Sequence, residues 1–100
     1  MPKECLRFDK TEIAAEYFIG NKHEIADLKG EDIASVAIEP CKVGLFKNKQ
    51  GERIVITTAI PAAPIFYYRH KNKKVFDQYV EGLELFCKNN GVKFSKTSPG

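Results

Sequence analysis

The sequence has few of the features that mark a disulfide scaffold or a metal site. Its three cysteines, Cys5, Cys41 and Cys87, lie far apart, and no CxxC pair or Cys/His cluster is present. An odd number of cysteines without a close pair argues against disulfides and against zinc. We therefore expect each cysteine to be a small buried side chain rather than a nucleophile.

Long apolar runs are also absent. No stretch approaches the roughly 20 apolar residues that cross a bilayer as a helix. The first ten residues, MPKECLRFDK, lack the apolar centre of a signal peptide. A cytoplasmic location is the expectation from these two observations.

Signatures of catalysis are equally scarce. His23 and His70 stand beside polar or basic neighbours, with no serine or cysteine at a recognisable nucleophile spacing. Asp27, Glu31 and Asp32 share one turn, where carboxylates more often cap and solvate than bind a metal. The glycines form no phosphate-binding signature. We expect no enzyme, no cofactor and no metal, and we identify no small-molecule substrate.

Basic charge, by contrast, is concentrated in the middle third of the chain. The 100 residues suit a single domain over 1–100, with a core over about 5–90 and a flexible tail at 95–100. Residues 1–41 hold five basic and nine acidic side chains, whereas residues 42–74 hold eight basic and one acidic. This asymmetry makes residues 42–74 the region where an anionic partner would bind.

Short runs with strand chemistry fill the chain up to residue 69. Gly20-Asn21 suits a tight hairpin turn between two of them. Residues 33–39 alternate apolar and polar side chains, and Pro40 is expected to end that strand. Residues 53–59 contain Ile-Val-Ile-Thr-Thr, whose β-branched side chains favour a sheet. The pattern predicts up to seven strands.

One amphipathic helix follows the strands. Asn72 is its expected N-cap, and Asn90-Gly91 its expected end. Leu85 falls outside the apolar stripe, either as an ordinary exposed leucine or as a contact with another subunit. The stripe comprises Val75, Phe76, Tyr79, Val80, Leu83, Phe86 and Cys87.

The order of these elements resembles bacterial pleckstrin-homology-like (PH-like) domains. HEIADLKGEDIASVAIEP is similar to their strand, turn and strand before the second sheet. RIVITTAIPAAPIFYYRH followed by KKVFDQYVEGLELF is similar to their last hairpin and C-terminal helix. The resemblance implies a mainly β fold, a sandwich or barrel of about seven antiparallel strands capped by one helix. The apolar turn at 60–64 would then cover a corner of the sandwich.

The same resemblance implies assembly into dimers or rings. We therefore expect a non-enzymatic interaction or scaffold domain whose partner is a protein, including a second copy of itself. Ile60, Ile65 and Leu85 are the candidate interface residues.

An anionic membrane surface is the alternative partner. Basic side chains can attract anionic lipids, and an apolar turn can enter the membrane interface. The first hairpin, where PH domains place their phosphoinositide motif, has the turn Asp9-Lys10-Thr11-Glu12 with only one lysine. The lipid hypothesis therefore depends on two basic groups, which are Lys42, Lys47, Lys49 and Arg53, and Arg69, Lys71, Lys73 and Lys74.

Single-stranded nucleic acid is a third and less favoured partner. Phe66, Tyr67 and Tyr68 beside Arg69 combine aromatic and basic side chains in the way that single strands require. However, adjacent strand residues face opposite sides, so at least one tyrosine must point inward. The net charge of +3 is also small for this role.

Overall fold

The chain folds into two sheets closed by one helix. A computed structural model describes residues 4–43, 49–60 and 64–97. The helix is α1 (Phe76–Asn90), and short 3-10 turns lie at Gly30–Asp32 and Arg69–Lys71. The strands are β1 (Cys5–Phe8), β2 (Glu12–Ile19), β3 (Lys22–Lys29), β4 (Ile33–Val43), β5 (Lys49–Thr58), β6 (Pro64–Tyr68) and β7 (Lys93–Lys96).

The predicted fold class is confirmed, with two differences in detail. One sheet has the antiparallel order β1-β2-β3, and the other has the order β6-β5-β4-β7. In the second sheet β7 pairs with β4 in a parallel direction, and it follows the helix rather than preceding it. Among the described residues, six strands thus precede α1, and a seventh is added after the helix returns the chain to the sheet.

The inner faces of both sheets and one face of α1 form a single core. Period-two alternation places Ile13 and Ala15 of β2, and Ile54 and Ile56 of β5, in the same buried cluster. Five of the seven residues of the predicted helical stripe are buried on α1: Phe76, Val80, Leu83, Phe86 and Cys87. Tyr79 is partly buried, and Val75 precedes the helix. Glycine at position 82 lets the helix approach β1, because a Cβ there would lie 2.9 Å from the Phe8 ring.

A buried hydroxyl joins the two sheets. Tyr67 of β6 is fully buried, and its Oη donates to the carbonyl oxygens of Cys5 (3.0 Å) and Glu16 (2.9 Å). Burial raises the pKa of Tyr67 far above its usual range, so the hydroxyl stays protonated. One proton is therefore shared between two acceptors on neighbouring strands of the opposite sheet.

The strand expected to end at Pro40 continues to Val43. Pro40 lies opposite Glu52 of β5, whereas the β7 ladder on the other side of β4 reaches only Ile38. Beyond Ile38, β4 is an edge strand. A proline is tolerated there because its missing N–H would face away from the neighbouring strand.

Part of the expected flexible tail is a strand. Ser95 and Lys96 belong to β7, and the Thr97 N–H donates to the Ile38 carbonyl (2.8 Å). Residues 98–100 of the expected tail lie outside the described residues. A four-residue strand has too weak a pattern to be recognised without its partner, and here each paired residue lies 58 positions away along the chain, as in Ser35 with Lys93.

The helix starts four residues after the expected N-cap. Val75 is the N-cap, and Asn72 instead uses its side-chain amide to donate to Glu4 Oε1 and to the Tyr68 carbonyl, both at 2.9 Å. Its own carbonyl accepts from the Phe76 N–H (2.8 Å). Asn72 is thus a buried link between the start of β1 and the end of β6. The predicted end is confirmed, because Gly91 has a left-handed φ of 66°.

We predict that Tyr67→Phe lowers the free energy of unfolding by about 1–2 kcal/mol, because it removes the shared hydrogen bond from a buried site. Urea unfolding would measure the change. Tyr17→Phe is the matched control, since within residues 4–43, 49–60 and 64–97 the Tyr17 hydroxyl has no described hydrogen-bond partner. Equal stabilities of the two variants would contradict the assignment.

Candidate functional site

The two arginines of the basic region are engaged within the chain. Arg53 donates from Nε to Glu39 Oε1 (2.7 Å), and its guanidinium lies 4.7 Å from the centre of the Phe66 ring. Burial lowers the pKa of Arg53, but the hydrogen bond to Glu39 raises it, and the net direction is upward. Its charge is therefore compensated locally, and little of it remains for an external anion.

Arg69 is held in the same way. It donates to Glu52 (2.8 Å) and to Asp77 (3.0 Å), and its guanidinium lies 4.3 Å from the centre of the Phe76 ring. The hydrogen bond to Asp77 raises the pKa of Arg69, burial opposes it, and the Glu52 charge adds to the rise. Arg69 thus fixes the turn between β6 and α1.

The lysines of the region behave differently. The five that the structure describes are exposed, and none forms an ion pair with another described residue. Lys42 and Lys49 lie at the end of the β4–β5 pair, whereas the other three flank the entrance to α1. Lys47 lies outside the described residues. The described five are Lys42, Lys49, Lys71, Lys73 and Lys74.

The aromatic residues of β6 divide between the two faces, as alternation requires. Tyr67 points into the core, while Phe66 and Tyr68 lie on the outer face with ring centres 6.2 Å apart. Cations already lie over both outer rings, Arg53 over Phe66 and Lys71 over Tyr68. A stacking base would have to displace them.

The three expected interface residues have different environments. Ile60 is 93% exposed and Leu85 is 59% exposed, so both are available to a partner. Ile65 is only 5% exposed and belongs to the core, because it is an inward residue of β6 opposite Ile56. The exposure of Ile60 also shows that it does not cover a corner of the core, and residues 61–63 of the same turn lie outside the described residues.

The Tyr67 contacts also show which backbone N–H and C=O groups of the first sheet face outward. In antiparallel strands, two residues that face each other either exchange two backbone hydrogen bonds or both point their N–H and C=O groups away from the other strand. One hydroxyl can reach the carbonyls of Cys5 and Glu16 only if they point toward each other's strand. Cys5 and Glu16 are therefore a hydrogen-bonded pair. In agreement, the next N–H, that of Leu6, points away from β2 and donates to Tyr79 Oη (3.2 Å).

The same alternation passes to β3. The backbone N–H and C=O groups of Glu16 point toward β1, so they cannot bond to its β3 partner, Ile25. The N–H and C=O groups of Ile25 therefore point away from β2. His23 and Asp27 share this orientation, since each lies two residues from Ile25. β3 is the last strand of its sheet, and no strand within the described ranges pairs with its outer side. We call the backbone groups of His23, Ile25 and Asp27 the β3 edge.

Exposed apolar side chains lie on both sides of the β3 edge. On the outer face of the sheet, Ile25 is 61% exposed, and Phe18 lies next to His23 with ring centres 5.2 Å apart. On the inner side, a groove of about 380 Å³ runs between β3 and the ends of β5 and β6. Ile19 and Ile60, both largely exposed, line this groove.

The exposed side chains of Phe18, Ile19 and Ile25 are not among the surface residues predicted from the sequence. The period-two alternation of KHEIADLK puts Ile25 on one face of the strand and Ala26 and Leu28 on the other face. One of these two faces must therefore point outward. The pattern does not say which face, and it does not say that β3 has no second neighbour. Both facts depend on the pairing of distant strands.

The remaining chemistry is limited. The described residues contain no group of three or more His, Cys, Asp or Glu side chains that could hold a metal ion. Cys87 is buried, whereas Cys5 and Cys41 are only partly so. Burial raises the pKa of the Cys87 thiol to about 11, which suppresses the reactive thiolate.

Comparison of the chain with family models, with curated proteins and with solved structures found no match. The resemblance to PH-like domains therefore stays a prediction. None of the helices that the structure describes is long and apolar enough to cross a membrane.

We predict that a thiol reagent modifies Cys5 and Cys41 faster than Cys87 in the folded protein at pH 8, and that Cys87 reacts at a similar rate only after unfolding. In the Cys87→Ala variant, the slow phase of thiol modification should disappear and the reaction of Cys5 and Cys41 should be unchanged. Because ionisation of this thiol favours the unfolded state, its contribution to stability is full below about pH 9 and is lost as the pH rises toward 11. A single reaction rate for all three thiols would contradict the burial of Cys87.

Proposed function

We propose that this chain is a non-enzymatic interaction domain that binds an extended segment of a protein partner along the β3 edge. The observation that carries the proposal is the row of outward backbone groups at His23, Ile25 and Asp27, bordered on both sides by exposed apolar side chains. A strand added to such an edge gains main-chain hydrogen bonds, and its alternate side chains provide selectivity.

An added strand would have apolar side chains of this chain next to each of its two faces. Side chains on the outer face would contact Ile25, and side chains on the inner face would enter the groove beside Ile19 and Ile60. Because side chains of a strand alternate, a partner with apolar residues at every position near the centre could use both. The edge therefore favours a segment with an apolar residue opposite Ile25.

The other sheet edges are less suitable. The hydroxyl of Tyr79 occupies an outward N–H of β1, and β7 covers part of β4. β7 has four residues and β6 has five, whereas β3 has eight. A long unpaired edge strand is a natural place for another chain to pair, and proteins usually shorten or cover such edges.

Hydrogen exchange tests the state of the edge. In dilute protein, we expect the amides of His23 and Ile25 to exchange rapidly, and those of Glu24 and Ala26, which face β2, to be protected. This alternation within one strand would be measured residue by residue by NMR. Slow exchange at Ile25 in dilute protein would show that the edge is not free.

Binding along the edge is tested with a library of random peptides displayed on phage. The Ile25→Pro variant removes an N–H that faces the partner and none that faces β2, so it should fold yet lose the selected peptides. Ile25→Thr, which keeps the N–H, is the matched control and should retain binding through the main chain. Peptides that bind Ile25→Pro as well as the unmodified protein would contradict the proposal.

An anionic membrane is a second candidate partner, favoured by the exposed lysines at the entrance to α1. Lys71, Lys73 and Lys74 have no described ion pair, and the turn that contains Lys71 packs against β5, whose first residue is Lys49. The structure thus brings parts of both basic groups to one end of the molecule. Each lysine near an anionic surface contributes about 1 kcal/mol.

We predict that if this surface binds membranes, the triple change Lys71→Glu, Lys73→Glu and Lys74→Glu weakens binding to phosphatidylserine vesicles by roughly 100-fold or more. Vesicle sedimentation at low and near-physiological salt would measure it. The same change of charge at Lys10, Lys88 and Lys93, which are also exposed, is the control. Equal losses in the two triple variants, or binding only at low salt, would indicate unspecific charge attraction.

A further inference from the structure

We propose that the partner of the β3 edge is the β3 edge of a second copy, in a two-fold antiparallel pair centred on Ile25. This inference rests on the proposed function, and it names the occupant and the register. The two three-stranded sheets would become one continuous sheet of six strands. A two-fold pair of this kind is isologous, so each copy contributes the same surface and the assembly closes as a dimer.

The register follows from the orientation of the backbone groups. Only odd-numbered residues near the centre of β3 turn their N–H and C=O groups outward, so these must pair with each other across the two-fold axis. Centring on Ile25 places Ile25 against Ile25 of the second copy. It also places His23 against Asp27 of the second copy, and the symmetry repeats this pair on the other side of the axis.

Neighbouring registers are worse. Centring on Glu24 would place two Glu24 carboxylates opposite each other, and directly opposed like charges destabilise a sheet. Centring on Ala26 would place Ile25 against a carboxylate, that of Asp27, and His23 against Lys29. The register centred on Ile25 alone combines an apolar central pair with two pairs of a basic and an acidic residue.

Side chains next to the edge agree with this register. His23 Nε2 is buried without a hydrogen-bond partner among the described residues, and it lies 3.4 Å from Glu16 Oε2. Asp27 of the second copy would place another acidic group beside this imidazole. On the inner face, Lys22 would lie over Leu28 of the second copy and Glu24 beside Ala26, so that no like charges meet.

The apolar surface near the axis supplies the remaining driving force. Ile25 is 61% exposed in the single chain and would be covered by its own symmetry mate. The added strand would also run beside the groove that Ile19 and Ile60 line. Contact between the two Ile25 side chains thus removes apolar surface from water at the centre of the interface.

Equilibrium sedimentation of the full chain tests the dimer. The expected result is a concentration-dependent shift from 11.3 kDa toward twice that mass. Ile25→Lys places two ammonium groups across the axis and should raise the dissociation constant roughly tenfold or more. Leu85→Lys is the matched control, because Leu85 is equally exposed (59%) but lies on α1, and it should leave the dimer unchanged.

Disulfide trapping tests the register. In a background of Cys5→Ser and Cys41→Ser, Ile25→Cys should form a covalent dimer on mild oxidation, since opposed hydrogen-bonded residues have Cα atoms about 5.5 Å apart. Lys29→Cys, on the same strand and also exposed, should not cross-link, because its symmetry mate would be more than about 20 Å away. Efficient cross-linking at position 29 would overturn the register.

Hydrogen exchange separates failure of this inference from failure of the proposed function. If the second copy binds here, the amides of His23, Ile25 and Asp27 exchange rapidly in dilute protein and become protected as the concentration rises. If these amides exchange rapidly at every protein concentration and the mass stays at 11.3 kDa, the chain does not pair with itself. The same result would show that the β3 edge is free, so the proposed function would stand. Protection in dilute monomer would instead overturn the proposed function.

Discussion

The arrangement of the two sheets depends on the buried hydroxyl of Tyr67. Its proton is shared between carbonyls of β1 and β2, and the burial that raises its pKa keeps it in the donor form. The contact joins an inward side chain of one sheet to the backbone of the other, so the sheets cannot slide without losing it. The two carbonyls that it reaches also identify Cys5 and Glu16 as a hydrogen-bonded pair, and the strand pairing then shows which backbone groups of β3 face outward.

Parts of the β1 and β4 edges are covered by α1 and β7, which follow the other strands in the chain. The helix places Tyr79 on the N–H of Leu6, and the return of the chain after Gly91 adds β7 beside β4. The C-terminal quarter of the chain thus closes both the core and two of the sheet edges. β3 receives no such cover within the described residues, and it is the longest of the edge strands. This difference between edges is the physical basis for the interaction we propose.

The charged middle third of the sequence has two structural roles. Arg53 and Arg69 are bound to acidic side chains and lie over aromatic rings, so they contribute to the second sheet and to the start of the helix. The acidic partner of Arg53 is Glu39 of the neighbouring strand β4, whereas Arg69 binds Glu52 of β5 and Asp77 of α1. The exposed lysines have no such partners among the described residues. Charge counted along the sequence therefore overstates the charge that an external anion would meet.

The local pattern of residues determined much of the architecture. Alternation predicted the strands, the 3.6-residue stripe predicted the buried face of α1, and glycines at the β2–β3 turn and at the helix end take the positive φ angles that such positions need. These features depend on neighbours within a few positions, so the sequence alone contains them. The exposure of Leu85 was also predictable, because the position of a residue around a helix depends only on its spacing from nearby residues.

Tertiary structure decided the rest, because the deciding partners are distant in sequence. The four residues of β7 become a strand only beside β4, and Pro40 is tolerated only because β7 ends before it. Ile60 and Ile65 look alike in the sequence, yet one is exposed at the groove and the other is buried against β5. The β3 edge exists because no described strand pairs with its outer side, which is a fact about the whole fold and not about the eight residues of β3.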